Sequence, residues 1–191
     1  MILSPFHRVM SLPLIVHVLC ACATFFGFQW VKGKLDASYA TSNHPVDYAT
    51  GQTTFSGETI KGYYATMQEA GTLDVYWQTQ FIDFGFILAI ACMGLFVATL
   101  VARFGRPGSW ARRLGLFAGV AALLGALCDA IENGWSFVML SDATGFADWL
   151  ALPYSAFASA KFALIACAMF ALLASLLATV IGRATRKPKI G

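Results

Sequence analysis

Charge is scarce in this sequence. Of its 191 residues, 12% are Asp, Glu, Lys or Arg, about half the ~25% that clothes a soluble domain. An ordinary water-facing globule is excluded, and so is disorder, which needs low hydrophobicity and high net charge. A secreted disulfide framework is excluded too. The five cysteines, Cys20, Cys22, Cys92, Cys128 and Cys167, all lie in apolar stretches and none in a polar loop. Cys20 and Cys22 stand about 200° apart around a helix, too far round for a local bridge. Also missing are a phosphate-binding Gly-rich loop, a nucleotide fingerprint, a Gly-x-Ser-x-Gly elbow and a His-Glu-x-x-His motif. The sequence therefore gives no reason to expect a cofactor or a metal. The basic residues flank apolar segments instead of gathering on one face, so nucleic acid is not an expected partner.

What remains is hydrophobicity: 58% of residues and a mean hydropathy of +0.66. A membrane-crossing helix needs about 20 predominantly apolar residues. Four segments qualify, at about residues 9–29, 81–102, 114–135 and 155–181. The expected fold is an all-α membrane protein, a single four-helix transmembrane bundle. Ala21-Cys22-Ala23 has the form of a signal cleavage site. Only His7 and Arg8 charge the stretch just before the first segment, however, and apolar residues continue to Phe28, so an uncleaved anchor is expected.

Basic residues set the orientation. The second connection carries Arg103, Arg106, Arg112 and Arg113, and the tail carries Arg183, Arg186, Lys187 and Lys189. The first connection, residues 30–79, has a net charge of −2, and the third has Asp142 and Asp148 with no basic residue. Both termini are expected in the cytoplasm, with loops 30–79 and 136–154 on the periplasmic side of a bacterial inner membrane.

Loop 30–79 is polar and reads as irregular from Ala37 to Thr54. From Gly57 to Ala70 the pattern changes. Ile60, Tyr63, Tyr64 and Met67 follow the i, i+3, i+4, i+7 rule, which predicts a short amphipathic helix over about 57–70. Its two tyrosines suit a place at the membrane interface. Trp30, Trp77, Trp135 and Trp149 fall near the outer boundary, Trp110 near the inner one.

Ionisable groups inside a membrane are costly and suggest function. The candidates are His17, Asp83, Asp129, Glu132 and Lys161. At about 1.5 Å per residue, Asp129 lies roughly 22 Å from the start of the third span. Asp83, Glu132 and Lys161 fall in the same outer layer, and His17 alone lies near mid-membrane. Asp129, Glu132, Asn133 and Ser136 recur at i, i+3, i+4 and i+7, one helical face that must turn away from lipid. Three carboxylates against one ammonium leave an excess of negative charge. That excess demands protons, water or a cation. The bland reading is a buried network that fixes helix register. The functional one is a small cavity, roofed by the 57–70 helix, that takes an amphipathic ligand through Asp83, Asp129, Glu132, Asn133, Lys161, Tyr63 and Tyr64. His17 reads as a hydrogen-bonded core histidine. A metal at the carboxylates would require His44 to fold in from the loop.

The order Phe55-Ser56-x-Glu58, Ala70-Gly71, Tyr76, Asp83-Phe84, Asp129-Ala-Ile-Glu132-Asn133 and Lys161 resembles a family of small bacterial four-span membrane proteins with an Asp-x-x-Glu-Asn motif in the third span. The likeness covers residues 55 to 165. It implies positions and no chemistry.

Three functions follow as expectations. The first is a non-enzymatic ligand-binding or accessory subunit, touching membrane lipid and meeting a protein partner through loop 30–79. The second is an enzyme on a lipid or isoprenoid, with Asp129 and Glu132 as acid and base and Asp83 as third carboxylate. The third is an oligomeric transporter. Polar groups cluster at one end of the spans, which disfavours a pathway through one copy. Small residues at Gly115-x-x-x-Gly119 and along the fourth span suit close packing inside the bundle or a homo-oligomer seam.

Overall fold

The computed structural model describes residues 4–185, so Arg186, Lys187 and Lys189 of the basic tail lie outside the described residues. Seven α-helices follow one another: α1 Ser4–Met10, α2 Leu14–Thr41, α3 Tyr48–Gln52, α4 Gly57–Glu69, α5 Leu73–Phe104, α6 Trp110–Leu140 and α7 Ala151–Ala184. A 3-10 turn at Asp148–Leu150 leads into α7, and the described residues contain no strand. Four helices, α2, α5, α6 and α7, are long and apolar enough to cross a membrane. The architecture is that of an integral membrane protein.

The first span differs from its expected bounds. Residues 9–29 are broken by Pro13, which has no N–H to donate and sits as the N-cap of α2. The preceding residues form α1, whose Phe6 is buried. Arg103 on α5 donates to the Leu12 carbonyl at 2.6 Å, which satisfies a group that the break leaves free. At its other end α2 runs on to Thr41, through residues that read as loop. Leu35 is buried there, Lys32 and Asp36 pair at i, i+4, and Ser38 bonds to Thr79 of α5 at 2.7 Å. Packing against α5 prolongs the helix where composition alone would end it.

Local signals stop the other helices. Gly105, Pro107 and Gly108 separate α5 from α6, and Gly108 has a φ of +77°. Ser109 then caps α6 by accepting from the Arg112 N–H. Ser56 caps α4 in the same way, accepting from Thr59 N. Gly71, at φ +68°, turns the chain from α4 into α5.

α2 packs along α5, α5 along α6, and α6 along α7, while α2 and α7 stand on either side of a cleft. Small residues bring α5 and α6 together. A Cβ on Gly94 would lie 2.5 Å from that of Ala122, and one on Gly115 would lie 2.9 Å from Cα of Ala102. A Cβ on Gly119 would lie 2.5 Å from the ring of Phe6. The Gly115–Gly119 face is thus spent inside the bundle. Trp30 and Trp149 are exposed near one end and Trp110 near the other, as an aromatic belt requires.

The apolar face of α4 does not look outward to an interface. Ile60, Tyr64 and Met67 are at most 2% exposed and pack against Tyr76, Met139, Phe146 and Tyr154. Gly57 abuts the third connection so closely that a Cβ would lie 2.5 Å from Cα of Asp148. Lys61 donates to Asp148 at 2.8 Å. α4 is a lid on the end of the bundle because its hydrophobic stripe finds protein before it finds lipid.

Candidate functional site

The helical spacing of Asp129, Glu132, Asn133 and Ser136 puts all four on the buried face of α6, each at most 2% exposed. Lys161 on α7 faces them. Its ammonium donates to Asp129 Oδ1 at 2.5 Å and to Glu132 Oε2. Asn133 donates through Nδ2 to Asp83 Oδ2 on α5 at 2.7 Å. Two adjoining polar clusters therefore cross the helices, one tying α6 to α7 and the other tying α6 to α5. Asp83 has no cationic partner among the described residues, whereas Asp129 and Glu132 share one.

The clusters are incompletely satisfied. Glu132 Oε1, Asn133 Oδ1, Ser136 Oγ and the Tyr64 hydroxyl are buried without a hydrogen-bond partner among the described residues. Burial lifts the Tyr64 phenol above its ordinary range; the Ser136 hydroxyl beside it acts to lower it, and the Glu132 carboxylate raises it again. Tyr76 and Tyr154 complete a tyrosine roof over this end of α6. Unpaired buried polar atoms cost roughly 1–3 kcal/mol each, and four of them group around Glu132.

Tyr63 and Tyr64 part company. Tyr64 enters the roof, while Tyr63 packs its ring 5.1 Å from that of His44. Neither lines the cavity that reaches Asp83. His44 is held in the loop by its bond to the Val46 carbonyl at 2.9 Å and by the rings of Tyr39 and Tyr76. Burial pushes its imidazole below the usual value, and the Val46 carbonyl and Asp47 offset part of that. No group of three or more His, Cys, Asp or Glu among the described residues is arranged to hold a metal ion. His17 lies apart from these clusters, buried between α2 and α5. Its Nε2 is 3.1 Å from the Phe96 carbonyl and 3.0 Å from the Thr99 hydroxyl.

Two cavities form one groove between α2 and α7. One is an apolar trough of about 370 Å³, with Phe25, Met93, Val97, Ala168 and Leu172 among its walls. The other, of about 280 Å³, has Asp83, Asp129 and Lys161 on its surface, with Lys32, Asp36 and Tyr48 beside them. Phe28, Ile90 and Ile165 line both. The groove is thus apolar along one part and carries ionisable side chains at one end.

Sequence reasoning missed the contributions of α2 and α3. Lys32, Asp36 and Tyr48 belong to residues that read as loop. The pairing of Lys32 with Asp36 at helical spacing was the available signal. Gln52, buried beside the polar end, had none. The chain matches no protein-family model, no curated protein and no solved structure.

Proposed function

We propose that this protein is a non-enzymatic binding or accessory subunit of a bacterial inner membrane, and that its ligand is an amphiphile held in the groove between α2 and α7. The observation that carries this reading is the continuity of the apolar trough with the end bearing Asp83, Asp129 and Lys161. A chain of methylenes lying in the trough gains about 0.8 kcal/mol for each one buried from water. Seen from lipid that gain vanishes, and selectivity falls to the polar end. This is where the sequence spends its costly ionisable residues.

Arg103, Arg106, Arg112 and Arg113 gather at the end of the bundle opposite the α4 lid. The positive-inside rule then orients both termini to the cytoplasm and the lid to the periplasm. The groove opens laterally toward the acyl chains, so a ligand enters from the bilayer without crossing water. Among the described residues, 42–72 form the longest connection between the spans, and a protein partner would meet the lid there.

The test is native mass spectrometry of protein extracted gently from its own membrane. The wild type is expected to retain one amphiphile per chain. Ile165→Trp, which fills the junction of the two cavities, is expected to lose it without loss of fold. Absence of any retained or added amphiphile from the wild type would overturn the reading.

A second reading rests on Glu132, whose free carboxylate oxygen sits under a tyrosine roof. A carboxyl shielded from water is what acid–base chemistry on a lipid or isoprenoid substrate uses. That reading requires the bound amphiphile to change mass on incubation, and the binding reading requires that it does not.

A further inference from the structure

The polar end of the groove is short of positive charge. Lys161 is consumed by Asp129 and Glu132, and Lys32 by Asp36 at 2.5 Å. Asp83 is left with one neutral donor, the Asn133 amide on Oδ2. Its side chain lines the cavity and is 8% exposed, so it is removed from water yet within reach of a ligand. Neutralising it requires a proton or a cation from outside the chain.

Four aromatic residues, Phe28, Tyr48, Phe86 and Phe162, line the same cavity as this carboxylate, and the Phe162 ring already has the Lys161 ammonium 5.3 Å from its centroid. Phe28 and Phe86 lie 5.3 Å apart, tilted by 40°. Tyr48 is fixed by its hydroxyl, which donates to the Leu35 carbonyl at 3.1 Å. Aromatic faces attract cations, and rings in one cavity with a carboxylate suit an alkylammonium better than a small metal ion, which would demand more oxygen ligands.

We infer that the ligand of the groove carries an ammonium headgroup, which sits against Asp83 in the cavity these aromatic residues line while its hydrocarbon chain follows the apolar trough. This rests on the amphiphile reading and adds the charge of the head. An anionic head is opposed by the carboxylates, and a neutral head leaves Asp83 unpaired. Headgroup charge is then the selective feature, because every amphiphile gains equally from the trough.

The experiment titrates purified protein in neutral detergent with three probes of one chain length: hexadecylammonium, hexadecanol and hexadecyl phosphate. Binding is read by native mass spectrometry. The ammonium is expected to bind about tenfold or more tightly than the alcohol, and the phosphate more weakly than either. Asp83→Asn keeps an oxygen and an amide in place; it is expected to abolish the preference for ammonium and leave alcohol binding unchanged. Phe86→Leu keeps the apolar volume and tests the ring separately, with an expected loss of several-fold for the ammonium alone. Equal binding of all three probes to the wild type, or a preference that survives both substitutions, would overturn the ammonium assignment while the groove reading stands. Binding of no probe would overturn both.

Discussion

Lys161 on α7 donates to Asp129 on α6 across 2.5 Å, and both side chains are nearly inaccessible to solvent. The same ammonium reaches Glu132, one helical turn along. One cation thus holds two carboxylates of a neighbouring helix. Removing it strands two charges in a medium that solvates them poorly. Lys161→Met is therefore expected to cost about 3–5 kcal/mol, the range found for breaking a buried pair. The triple variant Lys161→Met, Asp129→Asn, Glu132→Gln leaves no stranded charge and is expected to be more stable than the single one. Unfolding in detergent measures both. A triple variant as unstable as Lys161→Met would mean that the bonds, and not the charges, hold α6 to α7.

The approach of α5 to α6 depends on a missing side chain. A Cβ on Gly94 would lie 2.5 Å from that of Ala122, well inside contact distance. Gly94→Ala is expected to destabilise by about 1–3 kcal/mol, the usual cost of overpacking. Gly62, which has nothing within 4 Å of an added Cβ, provides the control. Gly62→Ala is expected to be neutral or slightly stabilising, since alanine is the better helix former. Melting temperatures of the two variants decide.

The lid is held by its buried apolar face more than by charge. Lys61 and Asp148 are joined at 2.8 Å, but the aspartate side chain is 70% exposed. Such a pair contributes at most about 1 kcal/mol, so Lys61→Ala is expected to have little effect. Gly57→Val, which drives atoms into the Asp148 backbone, is expected to undock α4. Limited proteolysis of residues 42–72 would reveal it as faster cleavage.

The loop beneath the lid responds to pH through His44. Its imidazole is more acidic in the fold than the ordinary 6.5, chiefly through burial. The unfolded loop then binds the proton more readily than the folded one. The contribution is full above the unfolded value and is lost as pH falls through and below it. Hydrogen exchange over residues 42–56 is expected to quicken between about pH 7.5 and about pH 5. His44→Phe, which keeps the ring among Tyr39, Tyr63 and Tyr76, is expected to remove that change. Every other ionisable group is common to both proteins, so the difference isolates the loop.

Much of the frame follows from local chemistry. Four long apolar helices are dictated by composition, because a segment of that length and hydropathy has nowhere else to go. The shared face of Asp129, Glu132, Asn133 and Ser136 is equally local, since helical geometry alone brings i, i+3, i+4 and i+7 together. The break at Pro13 was missed, although a proline inside a helical run removes a donor wherever it stands. The polar α2 extension was not legible, because Leu35 and Ser38 are kept helical by α5 and by no signal of their own.

Amino-acid sequence by itself determined that this chain forms four helices able to cross a membrane, and that one of them carries an acidic face no lipid could solvate. Tertiary structure alone decided which ammonium meets that face, which carboxylate is left without one, and that α4 turns its tyrosines onto protein. It also decided that α2 and α7 stand apart over a groove. Helical periodicity fixes the neighbours within a turn, whereas partners on other helices depend on how whole surfaces pack. The small residues at Gly94, Gly115 and Gly119 let α5 and α6 approach closely. α2 and α7 do not close on each other, and the cleft between them reaches Asp83.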